Sequence, residues 1–142
     1  MTIQVNTSPN AEDVLSAAHL FDDVPDASAK AAFINDDRHH LLIALLDGEP
    51  AGFVSAVELL HPDKPRPEMF LYELGTDARY RRRGVASALL ASLLAICQAR
   101  ECGEMFVLTD GANEAALATY QRAGAVREAD SAMLHWEFPA KG

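Results

Sequence analysis

Short blocks of apolar residues along the first half of the chain predict one strand, two helices and then two further strands. The predicted elements are, in order, a strand over Ile3–Thr7, a helix that begins with Ser8 as N-cap and Pro9 as its first residue, a helix over Ala27–Asn35, and strands over His40–Leu46 and Ala51–Leu60. Asp47-Gly48 separates the last two apolar runs and is a dipeptide typical of tight hairpin turns. We therefore expect a β-hairpin at this position.

The second half alternates strands and helices more regularly. The predicted elements are a strand over Met69–Gly75, a helix over Gly84–Glu101, a strand over Met105–Thr109, a helix over Asn113–Ala123 and a terminal strand over Ala132–Phe138. Gly103 and Gly124 follow the two helices and are expected to stop them in the left-handed conformation. This order predicts a mixed α/β fold, in which helices flank one sheet.

Length and composition favour one domain over residues 1–142. A chain of 142 residues with 49% hydrophobic content is large enough for one core. It contains no apolar run long enough for a membrane span, and its polar start lacks the layout of a signal peptide, so we expect a cytoplasmic protein. The spacing of Cys97 and Cys102 matches neither a CxxC motif nor ligands on one helical face. Both are therefore interpreted as reduced structural thiols.

The charge distribution indicates one anionic and one cationic ligand. The net charge of −9 argues against nucleic-acid binding, which usually needs a basic surface, and favours a cationic partner. Four of the 12 basic residues nevertheless fall within five positions, at Arg79 and Arg81–Arg83. Acids dominate elsewhere, with Asp22 and Asp23 in an acidic bend.

The segment Arg81-Arg82-Arg83-Gly84-Val85-Ala86 joins a predicted strand to a predicted helix. The first backbone N–H groups of a helix are unpaired and lie at the positive end of its dipole, so such a junction favours an anion. A phosphate group is the expected ligand. The alternative is that three arginines on a turn are only a solvated charge run.

Polar side chains on the predicted elements around this junction are candidate functional residues. Glu73 interrupts an apolar strand, where a buried carboxylate needs a partner or a function. Asp110 ends the next strand, but a turn residue before Gly111 is an equally good interpretation. From spacing alone, Asn113 is equally well interpreted as an N-cap, and Tyr120 is better interpreted as a core aromatic than as a functional residue.

The remaining histidines, aromatic residues and methionines predict little chemistry. His39 and His40 are adjacent on a predicted strand and therefore point to opposite faces, and the other histidines lack ligand spacing, so no metal site is predicted. Trp136 is interpreted as a core or dimer-packing residue. Met105 and Met133 are interpreted as core fillers.

Together these residues resemble the GNAT superfamily of N-acyltransferases. The resemblance rests on Arg81-x-x-Gly84-x-Ala86 after a strand that carries Glu73, followed by Asn113, Tyr120 and Gly124, and it spans Met69–Gly124. Within this superfamily, the aminoglycoside 3-N-acetyltransferases are most similar to the chain, on the stretches Leu71-Tyr72-Glu73-Leu74, Phe106–Asp110 and Ala116–Tyr120. The resemblance implies the GNAT fold, with a splayed central sheet, and acetyl-CoA as co-substrate.

The resemblance also implies roles for individual residues. Tyr120 would protonate the departing sulfur, and Asp110 or Glu73 would accept the proton of the amine. The acetyl-CoA contacts would come from Leu74, Gly75, Thr76, Arg81, Arg82, Arg83, Gly84, Val85, Ala86, Ser87, Asn113, Ala116 and Tyr120. The acceptor would be bound by Asp110, Glu73, Asp22 and Asp23.

The implied substrate is a cationic aminoglycoside acetylated at its 3-amino group, and a homodimer is expected from the family. Two alternatives remain open at this point. One is an acetyltransferase for another small amine, a peptide N-terminus or a lysine. The other is a CoA-binding module without turnover.

Overall fold

The structure is a computed structural model that describes residues 1–140. Its residues form two compact units. The first unit is Met1–Val107, and the second begins at Leu108. The first contains β1 (Ile3–Asn6), α1 (Ala11–Ser16), α2 (Ala27–Ile34), β2 (His39–Leu46), β3 (Glu49–Leu59), β4 (Glu68–Thr76), α3 (Val85–Ala99) and β5 (Glu104–Val107). The second contains α4 (Glu114–Arg122). None of the helices within residues 1–140 combines the length and the hydrophobicity that a membrane span requires.

The sheet has the strand order β1-β2-β3-β4-β5, which confirms the mixed α/β prediction. The first three pairings are antiparallel, and β5 joins β4 in parallel after the α3 crossover. The predicted hairpin between β2 and β3 is confirmed. Asp47 and Gly48 adopt φ values of 49° and 87°, which is the paired positive φ of a tight hairpin turn.

Helix α3 packs its apolar side on the sheet and is joined to it at both ends. Leu89, Leu90 and Leu93 are fully buried in the core. At the start of α3, Val85 lies over Gly52 of β3, where a Cβ would come within 2.7 Å of Val85 Cγ1. At the other end, Arg100 forms an ion pair with Glu58, a carboxylate that is only 4% exposed.

Two predicted helix boundaries are wrong. The first helix begins not with Ser8 and Pro9 but after Asn10, whose side chain accepts a hydrogen bond from Asp13 N–H while the Asp13 carboxylate accepts one from Asn10 N–H. This capping box satisfies two unpaired amides at once. Helix α3 is stopped not by Gly103 but by Glu101, which adopts φ 56°, with Cys102 N–H bonded to Cys97 C=O at 2.9 Å.

The predicted terminal strand over Ala132–Phe138 is also wrong. Within residues 108–140 the structure has α4 and no β-strand. Alternating apolar and polar residues form a stable strand only when another strand pairs with them, and no strand pairs with Ala132–Phe138. The expectation that Met133 fills a core is wrong, since it is 71% exposed, and Trp136 at 79% exposure is not a core residue. A role for Trp136 in dimer packing stays a prediction.

Candidate active site

The parallel pairing of β4 with β5 stops part-way along β4. The ladder runs from Glu68↔Glu104 to Leu71↔Val107, whereas β4 continues to Thr76. On its other side, β4 stays paired with β3 up to Gly52↔Thr76. Within the described residues 1–140, the edge of β4 after Leu71 therefore has no strand partner on the β5 side, which confirms the predicted splay of the sheet.

A β-bulge lies where the splay begins. Ser55 of β3 pairs with Glu73, but the next residue, Ala56, pairs with Leu71, so Tyr72 is the extra residue of β4. Tyr72 and Glu73 are consecutive and both exposed. The expectation that Glu73 is buried within an apolar strand is therefore wrong, because the bulge and the end of the ladder leave its side chain uncovered.

Within residues 1–140, Glu73 has one polar partner, Ser55, which the sequence pattern did not reveal. The buried Ser55 hydroxyl donates a hydrogen bond of 3.0 Å to Glu73 Oε1. Ser55 is the only polar side chain in the run Ala51–Val57, which is the signal that could have identified it. Its pairing with Glu73 depends on the register of β3 and β4, which the sequence pattern did not specify.

Gly75, Phe53 and Phe21 connect the splay to the acidic bend. A Cβ on Gly75 would lie 2.8 Å from Phe53 Cε1, so the ring covers this position of β4. The Phe53 ring packs on Phe21 with centroids 4.7 Å apart. Asp22 and Asp23 follow Phe21 directly and are exposed. The segment that carries the two aspartates is thus packed against β4 at Gly75 through the rings of Phe21 and Phe53.

The junction before α3 has the backbone form of an anion site. Gly84 is the N-cap of α3 with φ 84°, and no side chain caps the helix. Arg82 also has a positive φ of 63°, a strained conformation for a residue with a Cβ. The first amides of α3, on Val85, Ala86 and Ser87, precede the first intrahelical bond, which runs from Ala88 N–H to Gly84 C=O at 3.0 Å.

The arginines near this junction differ in their partners. Arg79 forms an ion pair of 2.9 Å with Asp77, and the hydrogen bonds from Arg79 lower the pKa of Asp77 to about 2. Arg81, Arg82 and Arg83 are exposed, and no acidic side chain within residues 1–140 forms an ion pair with them. Arg81–Arg83 therefore carry positive charge that no ion pair within the described residues neutralises.

In residues 108–140, Asp110 and Asn113 organise the start of α4. Asp110 Oδ1 accepts a hydrogen bond of 2.8 Å from Ala112 N–H, and Asn113 N–H donates to Asp110 C=O at 2.9 Å. The Asn113 side chain accepts from Ala116 N–H at 3.1 Å. The turn interpretation of Asp110 and the N-cap interpretation of Asn113 are confirmed. The Asn113 amide N–H₂ group is not used in this cap.

Tyr120 lies on α4 and is half-buried. Partial burial raises the pKa of Tyr120 above its ordinary value of 10, so the phenol keeps its proton at neutral pH. After Tyr120, the helix ends as predicted at Gly124, which has φ 102°, with Ala125 N–H bonded to Tyr120 C=O at 3.0 Å. A phenol that stays protonated can donate a proton to a departing group.

Most of the chain matches a known protein family, which decides the class of protein. The acetyltransferase (GNAT) family matches residues 9–125. The chain belongs to this family. GNAT proteins use acetyl-CoA, so the expected co-substrate is confirmed, as is the fold that the sequence resemblance implied. None of the curated proteins matches the chain.

Several solved acetyltransferases are similar in structure to this GNAT chain. The aminoglycoside acetyltransferase HMB0005 from an uncultured soil metagenomic sample is 30% identical, with 99% of this chain and 100% of that chain covered and a TM-score of 0.79. The enzyme meta-AAC0020, from the same kind of source and solved in complex with sisomicin, is 18% identical, with coverages of 99% and 96% and a TM-score of 0.82. AAC(6')-Iy, solved with a bisubstrate analogue, is 21% identical, with coverages of 97% and 99% and a TM-score of 0.79.

The residues at the junction fit the pyrophosphate of acetyl-CoA. The uncapped amides of α3 suit the oxygens of an anion, and a side chain larger than that of Gly84 would be strained at φ 84°. The unpaired edge of β4 after Leu71 suits the amides of the pantetheine arm, which can pair with a strand edge. The junction and the edge of β4 therefore offer the kinds of backbone group that these two parts of the co-substrate require.

Proposed function

We propose that this GNAT protein transfers the acetyl group of acetyl-CoA to the 3-amino group of an aminoglycoside. The observation that carries the choice of acceptor is the 30% identity with an aminoglycoside acetyltransferase over 99% of this chain. The net charge of −9 supports it, because aminoglycosides are polycations. The 3-position follows the sequence resemblance, and AAC(6')-Iy makes the 6'-position the competing regiochemistry.

On the co-substrate side, the backbone of Arg82–Ser87 binds the pyrophosphate. The side chains of Arg81–Arg83 add a favourable field there, which salt weakens because they are exposed. Leu74, Gly75 and Thr76 offer backbone groups to the pantetheine arm. Asn113 and Ala116 on α4 contribute from residues 108–140, with the free amide N–H₂ group of Asn113 as the donor.

On the acceptor side, carboxylates bind the ammonium groups and take a proton. The free amine nitrogen forms a bond to the thioester carbon, and the bond from that carbon to sulfur breaks. Glu73 or Asp110 takes the proton that the amine loses, and Tyr120 gives its phenolic proton to the sulfur. Each proton-transfer group is expected to contribute about a hundred- to ten-thousandfold. Asp22 and Asp23 hold further ammonium groups.

A thiol-release assay tests the acceptor class. The protein is mixed with acetyl-CoA and, in separate reactions, with sisomicin, kanamycin, spermidine, a peptide with a free N-terminus and a lysine peptide. We expect thiol release with the aminoglycosides above all others. Release only with a peptide or a polyamine contradicts the aminoglycoside assignment. No release with any amine, together with tight CoA binding, supports the module without turnover. A homodimeric, cytoplasmic enzyme stays a prediction.

A further inference from the structure

A side-chain hydrogen bond joins Ser55 of β3 to Glu73 of β4 where the splay begins. Ser55 is 4% exposed on β3, and its hydroxyl lies 3.0 Å from Glu73 Oε1. The neighbours of Ser55 along the strand, Val54 and Ala56, are buried and apolar. The hydroxyl of Ser55, which lies between these apolar residues, therefore donates its hydrogen bond to one oxygen of the exposed Glu73 carboxylate.

The β-bulge makes this contact possible. If the pairing of Ala56 with Leu71 continued without a shift, Ser55 would lie opposite Tyr72. The extra residue instead moves Glu73 into register with Ser55. Because residues on bulges are often re-aimed toward functional sites, the pairing of one bulge with one buried hydroxyl indicates a positioned carboxylate.

Only one oxygen of the carboxylate is held. Glu73 Oε1 accepts from Ser55, whereas Glu73 Oε2 has no hydrogen-bond or ion-pair partner within residues 1–140. A carboxylate with one fixed and one free oxygen presents its free lone pairs in a narrow range of directions. This arrangement suits an amine or a water molecule that approaches from the open side of the splay.

We propose that Ser55 is a positioning residue that fixes Glu73 toward the acceptor amine. The proposal rests on the proposed function, because it assigns Ser55 a role in acetyl transfer through Glu73. Ser55 donates to Oε1, and Oε2 accepts the hydrogen bond or the proton of the acceptor amine. Ser55 itself does not touch the reacting atoms.

A double-mutant cycle with Ser55→Ala and Glu73→Gln tests the role in turnover, using whichever amine the thiol-release panel identifies. Loss of one hydrogen bond predicts that Ser55→Ala lowers kcat about three- to tenfold, with an unchanged KM for acetyl-CoA. In the Glu73→Gln background, Ser55→Ala is expected to have no further effect. Ser55→Thr, which keeps the hydroxyl, is expected to recover most of the activity.

Matched variants control for the loss of a hydroxyl or a charge elsewhere. Ser92→Ala removes a half-buried hydroxyl from α3, and Glu104→Gln removes an exposed carboxylate from β5. Both are expected to keep the parent kcat. Equal losses from Ser55→Ala in the parent and in the Glu73→Gln background overturn the proposal, and so does full activity of Ser55→Ala.

A second measurement does not depend on turnover, so it separates this proposal from the proposed function. Crystal structures of the parent and of Ser55→Ala compare the order of the Glu73 carboxylate. We expect one rotamer in the parent and several in the variant. The same single rotamer in both overturns the positioning role, even if acetyl transfer to an aminoglycoside is established. If the panel shows no turnover, the proposed function fails and this comparison still decides the role of Ser55.

Discussion

Replacing Gly84 with alanine separates the strain of the junction before α3 from its role in binding. Gly84 adopts φ 84°, and a Cβ built there meets only Ile3 Cδ1 at 3.8 Å, which is an ordinary contact. The substitution therefore causes backbone strain without a clash. Gly48, in the hairpin turn, has φ 87° and open space around its Cβ position. Gly48→Ala is a matched control that lies outside the junction.

The magnitude of the two effects follows from this geometry. A residue with a Cβ in the left-handed region costs about 1–2 kcal/mol, so both variants are expected to unfold at temperatures about 3–8 °C lower. If the backbone at Gly84 shifts to relieve the strain, the first amides of α3 change their orientation. The same shift at Gly48 does not affect these amides. Loss of one hydrogen bond to a phosphate is worth about 1.5–3 kcal/mol, which corresponds to a weakening of CoA binding by roughly tenfold or more.

The assay pairs thermal unfolding without ligand with calorimetric titration of CoA. We expect similar losses of thermal stability in the two variants and weakened CoA binding in Gly84→Ala alone. Unchanged CoA affinity in Gly84→Ala refutes the account of the phosphate site. An equal loss of affinity in Gly48→Ala shows that general destabilisation, and not the junction, is responsible.

Three further variants test other parts of the structure. Glu58→Gln removes a buried charge. Burial raises the pKa of Glu58, but the hydrogen bonds from Arg100 and His40 outweigh this effect, so the pKa lies below its ordinary value of 4.5. The stabilisation is therefore present above that pH and is lost as the pH falls, so denaturant unfolding should show a destabilisation of about 1–3 kcal/mol at pH 7 that shrinks in acid. Tyr120→Phe is expected to lower kcat about a hundredfold with little change in CoA affinity, and unchanged turnover at saturating substrates contradicts its role as the acid. Gly52→Ala is expected to lower the unfolding free energy by about 1–3 kcal/mol, because its Cβ would lie 2.7 Å from Val85 Cγ1, and parent-like stability contradicts the packing described for α3.

Features that depend on neighbouring residues could be predicted from the sequence. The hairpin at Asp47-Gly48 and the cap at Asn113 each need only a few consecutive side chains, and both are confirmed. The Gly84 junction is also local, since a positive φ favours glycine. The N-cap at Asn10 is local too, and the spacing of Asn10 and Asp13 could have identified the capping box.

Features that depend on strand register could not be predicted in the same way. The contact of Ser55 with Glu73 requires the bulge at Tyr72, and the exposure of Glu73 requires the ladder to stop at Leu71. Neither follows from the apolar pattern of one strand, because register is set between strands. The end of α3 at Glu101 illustrates a different limit, since a non-glycine residue took the left-handed position while a glycine stood two residues further on.

Identification of the reaction product tests the central claim most directly. The protein is incubated with acetyl-CoA and sisomicin, and the product is analysed by mass spectrometry and by NMR of each amine-bearing carbon. The account predicts the gain of a single acetyl group on the 3-amino nitrogen. Acetylation at the 6'-amino nitrogen contradicts the proposed regiochemistry, and unmodified sisomicin after complete incubation contradicts the proposed acceptor.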